Sequence, residues 1–312
     1  MLNLRGQRRR NELSERARSG VGTYENNNRH SKHLFCEQPS YVAATNSCMK
    51  SRFFCLTTGL ALLILPAFGE LPAGRAAKLA ATPAAAAGPI DHSGFDRLLK
   101  KHVSERGAVS YQGFKADEAV FNQYLALLSK NPPASGLAKA DQMAYWINAY
   151  NAYTIRLILD HYPVQSIKDI GSKIKIPLVT TPWAIKFFSI GGQKMSLDEI
   201  EHSVLRKKYN DPRVHFALVC ASVSCPRLRN EAYIGTQLER QLDDQGRDFM
   251  NNPAKNKITK DAAQLSKYFD WYKGDWSKNG QSVALWVNKY SATKLNKGAK
   301  ITYLDYNWGL NE

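Results

Sequence analysis

Acidic side chains and cysteine are the scarce components of this 312-residue chain. Only 27 Asp and Glu stand against 43 Lys and Arg, and five cysteines occur in all. The imbalance, formally +16, excludes an acidic solvating chain, and 44% apolar residues exclude disorder throughout. No block of five like charges is present, which favours a scattered, solvated basic surface. Long apolar runs are missing too: none reaches the roughly 20 residues that span a bilayer. A glycine-rich phosphate loop, a His-Glu-x-x-His and a Gly-x-Ser-x-Gly are all absent. Nucleotide-dependent transfer, zinc proteolysis and serine-esterase chemistry therefore have no support.

The amino end reads as targeting sequence. Lys50 and Arg52 directly precede an apolar stretch over residues 53–68, interrupted by Thr57, Thr58, Gly59 and Pro66 and followed by small residues. That three-part layout predicts a secretory signal over residues 49–69, with Met49 as initiator. Residues 1–48, rich in Arg, Asn and Ser and without period, are expected to be a non-native or disordered extension. Residues 70–89, alanine-rich with Pro72, Pro83 and Pro89, are expected to be a linker. Cys55 lies on the wrong side of the apolar run for a lipid-modified cysteine. Residues 1–69 carry ten basic and four acidic side chains, so the remaining chain is still about +10. The expectation is a periplasmic or secreted protein with no transmembrane span in its mature chain. There a basic surface meets anionic lipid, cell wall or polysaccharide, and no nucleic acid.

From residue 90 the chain becomes periodic. Asp91 can cap a helix carrying Phe95, Leu98 and Leu99, and Phe121, Tyr124, Leu125 and Leu128 mark a second that Asn131-Pro132-Pro133 stops. Residues 141–161 spread apolar side chains over nearly every face, which predicts a helix buried in the middle of the fold. Gly191-Gly192 predicts a hairpin. Capping boxes at Ser196/Glu199 and Thr236/Glu239 predict helices running to residues 205 and 249. Residues 214–221 are almost wholly apolar and rich in β-formers, which predicts a strand covered on both faces. A lesser strand near Ile258, a helix over 282–290 and a last strand over 301–304 complete the pattern. Without βαβ alternation or repeats, this gives a single α+β domain over residues 90–312. Its helix-rich first half is expected to pack on a small, mainly antiparallel sheet.

The densest group of reactive residues is His215, Cys220 and Cys225. Only these two cysteines lie beyond the signal, and in an oxidising compartment they are expected to close a small-loop structural disulfide in a non-catalytic binding or scaffold module. The alternative is a thiol-dependent hydrolase or acyl-transfer enzyme, with Cys225 or Cys220 as nucleophile and His215 or His202 as its partner. On a regular strand His215 and Cys220 point to opposite faces, so such a pair would need Cys225 to fold back or His202 to approach. A zinc site built on the same three residues lacks a fourth ligand, and neither metal nor cofactor is expected.

Three further sets stand out. Asn148 and Asn151, three apart on the buried helix, can tie down the backbone of a crossing loop or orient a substrate. His202 and Arg206, four apart beside Glu201, can form an exposed ion pair or part of a site. Trp271, Tyr272, Trp276 and Trp308 can line a sugar-binding groove or pack the core.

Four ordered motifs carry a resemblance. Tyr145-Trp-Ile-Asn-Ala-Tyr-Asn-Ala152, Ser196-Leu-Asp-Glu-Ile-Glu-His202, Asp211-Pro-Arg-Val-His-Phe-Ala-Leu-Val-Cys220 with Ser224-Cys-Pro226, and Tyr306-Asn-Trp-Gly-Leu-Asn311 resemble the bacterial family catalogued as domain of unknown function 547. The family's last motif usually reads Tyr-Asp-Trp-Ser-Leu-Asn, so Asn307 and Gly309 depart from it. The resemblance implies an exported or envelope protein and brings no established activity; plant relatives join the domain to other modules. The order of a buried helix and a later histidine segment is also similar to that of papain-like and transglutaminase-like enzymes. In those the helix bears the nucleophilic cysteine, where this chain has Asn148. By that analogy the nucleophile has moved to Cys225 or the site only binds.

Overall fold

Phe95, Leu98 and Leu99 fall on one face of α1 (Ser93–His102) and are buried, in the computed structural model, which describes residues 88–171 and 181–312. The expected extension, signal and nearly all of the linker lie outside the described residues. Asp91 accepts from the Ser93 N–H at 2.8 Å and from its hydroxyl at 2.7 Å, and so closes the start of α1. After α2 (Tyr111–Ala116) comes α3 (Glu118–Lys130), which buries Phe121, Tyr124, Leu125 and Leu128. Phe95 stacks on Tyr124 with ring centroids 4.8 Å apart. Asn131 ends α3 ahead of the two prolines, as backbone sterics before proline require. The long helix α4 (Lys139–His161) has 16 of its 23 residues buried, so other elements must cover it on most sides.

Those elements follow in order. β1 (Phe188–Ile190) and β2 (Gln193–Met195) form the antiparallel hairpin, with Gly191 and Gly192 at φ 59° and 80°. Positive φ at both turn positions suits glycine and matches the twist of a two-residue hairpin. Phe188 stacks on Tyr153 of α4 at 3.8 Å. The Ser196/Glu199 capping box is made in full: Ser196 N–H donates to the Glu199 carboxylate at 2.9 Å and Glu199 N–H to the Ser196 hydroxyl at 3.2 Å. The helix it opens is a π-helix, Glu199–Tyr209, wound more widely than the expected α-helix. Wide winding of this kind is rare and recurs at functional sites.

Residues 214–221 correct the expected strand. Val214–Ala217 form a short helix, α5, and the chain becomes extended only from Leu218. Asp211 accepts from the Arg213 N–H at 2.9 Å, and Pro212 and Arg213 form a turn that leads into the helix ahead of the β-forming residues. An apolar run this short is as compatible with a buried helix as with a strand. The Thr236 cap is also not made. Residues 235–237 already wind as a 3-10 turn, and Gln237 takes the cap position of α6 (Leu238–Asn251).

The sheet is three-stranded, in the order β3-β4-β5. β3 (Lys257–Ile258) pairs antiparallel with β4 (Ala262–Leu265), and β4 pairs parallel with β5 (Lys300–Tyr303). β4 was not anticipated, because Ala-Ala-Gln-Leu has little β propensity. Two short helices, α7 (Tyr268–Trp271) and α8 (Lys273–Trp276), and the Ser282-capped α9 (Val283–Tyr290) lie between β4 and β5. The class is α+β, with helix predominating. No described helix is long and apolar enough to cross a membrane.

Candidate functional site

Cys220 and Cys225 are joined by a disulfide. The loop between them turns at Ala221, a non-glycine residue at φ 57°, and this brings Ser222 and Cys225 back beneath Cys220. The loop is held from both sides. Val223 N–H donates to Gly309 C=O at 2.8 Å and Ser224 N–H to Asn307 C=O at 3.2 Å, so the C-terminal tail lies along it. Lys255 donates to the carbonyl of Val223 at 2.7 Å and to that of Cys225. Burial pushes the Lys255 ammonium down to about 8.

Three hydroxyls converge on the two sulfurs. Ser222 Oγ, Tyr268 OH and Tyr306 OH lie 3.3, 3.4 and 3.3 Å from Cys220 Sγ. Their distances to Cys225 Sγ are 3.3, 3.2 and 3.3 Å. Burial raises the Tyr306 phenol to about 12 and holds that of Tyr268 well above its ordinary value, so both keep their protons at neutral pH.

A second polar centre lies at His215. Its Nε2 is 2.8 Å from Asp275 Oδ2, and Arg206 Nε donates to the same oxygen at 2.6 Å. Lys278 adds an ion pair at 2.9 Å. Burial alone would raise the Asp275 carboxyl. Hydrogen bonds from His215, Arg206 and Lys278 outweigh burial and hold it well below the usual carboxylate range. For His215, burial outweighs the attraction of Asp275 and lowers its pKa, so the imidazole is neutral and its Nε2–H donates. Tyr272 stacks on the His215 ring at 3.8 Å, and the Arg206 guanidinium lies over the other ring system, 5.1 Å from the Tyr272 centroid. Glu201 of the π-helix is buried nearby and hydrogen-bonds Tyr272, with its Oε1 unpaired.

Above the disulfide lies an aromatic face. Tyr306 packs 4.5 Å from Trp308 and 4.7 Å from Trp271, and Trp308 reaches Trp183 at 5.7 Å. These rings are half-buried, and the exposed Lys168 ammonium stands 4.9 Å from the Trp308 centroid.

The structure therefore separates residues that the sequence groups together. Cys220 and Cys225 meet each other, whereas His215 is bound to Asp275. His202 is exposed, with Nδ1 2.7 Å from Arg206 Nη1 and its other nitrogen 3.8 Å from Asp198. Among the described residues neither imidazole bonds a sulfur. Asn148 exchanges bonds of 2.8 and 2.9 Å with the backbone of Tyr233, and Asn151 clamps Ala217 C=O and Val219 N–H at 3.0 Å each. Trp276 is core, while Trp271, Tyr272 and Trp308 are half-buried. Among the described residues no group of three His, Cys, Asp or Glu is placed to hold a metal ion.

Several site residues escaped the sequence reading. Tyr306 opens a motif that the sequence singles out, Ser222 lies between Cys220 and Cys225, and Tyr268 and Asp275 lie close to Trp271, Tyr272 and Trp276. Nothing near Lys255 or Lys168 marks either one.

A family model described as protein of unknown function, DUF547, matches residues 134–250. The match makes this stretch similar to DUF547. The matched part runs from the approach to α4 through most of α6. It includes both site amides, His202, Arg206, His215 and the disulfide; Tyr268, Asp275 and the tail lie beyond it. No curated protein and no solved structure matches the chain.

Proposed function

We propose that this protein, similar to DUF547 over residues 134–250, is an exported, non-hydrolytic binding module for an anionic polysaccharide of the cell envelope. The aromatic face carries the reading. Trp183, Trp271, Tyr306 and Trp308 offer half-buried ring surfaces side by side, and Lys168 adds a cation at their edge. Aromatic rings give a stiff apolar surface for the C–H faces of sugar rings, and a neighbouring ammonium selects a carboxylate or phosphate on the chain. The net charge of about +10 that remains without residues 1–69 draws such a polyanion from a distance. Binding is favoured over hydrolysis because both sulfurs are in a disulfide and the two candidate imidazoles are engaged with Asp275 and Arg206.

The test is titration of the purified protein with a uronic-acid polysaccharide, followed by tryptophan fluorescence. Trp308→Ala and Trp271→Ala should each weaken binding at least tenfold. Lys168→Ala should weaken the acidic polysaccharide and leave its carboxyl-reduced form unaffected. Unchanged affinity in both tryptophan variants would overturn the reading. Cell fractionation checks export: recovery of the protein in the cytosol would remove the envelope partner.

A further inference from the structure

The surroundings of the Cys220–Cys225 bond suit a thiolate better than a disulfide. Cys225 Sγ receives the Cys220 N–H at 3.0 Å and lies within 3.2–3.3 Å of the hydroxyls of Ser222, Tyr268 and Tyr306. The Ser222 and Tyr306 hydroxyls are 2.8 Å apart. One bond between these two uses one hydrogen, which leaves two of the three hydroxyl hydrogens for sulfur. A disulfide sulfur is a poor acceptor, and a buried donor without a good acceptor is costly. A thiolate is a charged acceptor, for which such donors form charge-assisted bonds. The hydroxyls lie equally near both sulfurs, and the Cys220 N–H adds a donor to Cys225 alone; together they stabilise the reduced state with Cys225 as the favoured thiolate, and a stabilised reduced state makes a disulfide oxidising.

Two further observations agree. The bond closes a loop with a sequence separation of only five, so it constrains the unfolded chain weakly as a staple. The loop also has supports that do not depend on sulfur: the tail carbonyls of Gly309 and Asn307, and Lys255 on the carbonyls of Val223 and Cys225. The site can thus open and reclose without losing its geometry.

We propose that Cys220–Cys225 is a redox-active disulfide that oxidises paired thiols of a second protein. Cys220, the less buried of the two at 7% exposure against 1%, is the sulfur attacked. A client thiolate bonds to Cys220 Sγ, the Cys220–Cys225 bond breaks, and the electron pair leaves on Cys225 Sγ, where the N–H and hydroxyls receive it. The client's second thiolate then attacks its own sulfur in the mixed disulfide. Cys220 is released as a thiolate and takes up a proton. The client loses two electrons and two protons to form its disulfide, and the protein gains them as two thiols. This activity is independent of polysaccharide binding.

The experiment uses the full protein and a synthetic peptide carrying two cysteines. In a glutathione buffer the oxidised protein should convert the peptide to its disulfide, one peptide per protein, with two protein thiols appearing. In reduced protein, iodoacetamide labelling against pH should show one thiol titrating at least one unit below the ordinary thiol value of about 8.5. That thiol should persist in Cys220→Ser and vanish in Cys225→Ser. Tyr306→Phe and Tyr268→Phe, which keep ring and packing, should raise it and slow peptide oxidation at least fivefold. The proposal is overturned if the peptide stays reduced, or if both thiols titrate at 8.5 or above in folded reduced protein. It is equally overturned if neither phenylalanine variant changes the labelling profile.

Discussion

Asn148 and Asn151 show what a buried amide does when both of its ends are used. Each donates to a carbonyl and accepts from an N–H of backbone that crosses α4, at 2.8–3.0 Å. Asn151→Ala would leave Ala217 C=O and Val219 N–H without their partner inside the protein. It should cost about 2–4 kcal/mol, read as a lower urea midpoint at unchanged slope. Asp275 is the other pivotal residue, because Arg206, His215 and Lys278 all converge on it. Asp275→Asn preserves shape and removes the charge that Arg206 and Lys278 face. A loss of about 3 kcal/mol is expected by the same measurement. The type and position of the two amides, three apart on a helix apolar all round, were visible in the sequence. Asp275 was not, because His215 and Arg206 lie 60 and 69 residues away, and the nearby Lys278 is a neighbour that any surface acid can have.

At the scale of elements, end signals proved more informative than propensity. Ser196/Glu199 and Ser282 start helices where their side chains can reach the first free N–H groups. Asp211 bonds the N–H of Arg213, the residue ahead of α5, and the expectation of a strand there rested on the β-forming residues that follow. The winding of the π-helix was not legible, since both helix types bury Ile200 and Leu205 and nothing in the side-chain spacing separates them. The Cys220–Cys225 loop turns at Ala221, whose Cβ crowds the backbone at φ 57°. Ala221→Gly should relieve that crowding and raise stability by about 0.5–1 kcal/mol, offset in part by the freer unfolded chain. A lower thermal midpoint for this variant would show that the turn is unstrained.

Over the whole molecule, two features couple distant parts of the chain. The tail runs back from β5 along residues 221–224 and reaches the N-terminal helices: Asn311 accepts from the Tyr111 hydroxyl at 2.7 Å and from the Val109 N–H at 2.9 Å. Deleting residues 306–312 should therefore expose both the disulfide loop and the Val109–Tyr111 segment to protease together; cleavage at the loop alone would contradict this coupling. Buried imidazoles set the response to acid. Burial lowers His92 from 6.5 to about 4, and His215 moves the same way. The unfolded chain therefore takes up protons first as the pH falls. The stability carried by neutral His92 is complete above pH 6.5 and is lost progressively towards pH 4, by up to about 1.4 kcal/mol per pH unit. Urea midpoints across this range should fall more steeply for the wild type than for His92→Gln.

The sequence by itself determined the α+β class, the buried position of α4, most helix ends, the DUF547 resemblance and the reactive group of His215, Cys220 and Cys225. These follow from periodicity and capping, which act within a few residues. The sequence also paired the two sulfurs, but only tertiary structure decided that the imidazole belongs to Asp275 and that Ser222, Tyr268 and Tyr306 encircle the disulfide. Such partners come together through the packing of elements far apart along the chain, and a local pattern holds no record of which distant surface it will meet.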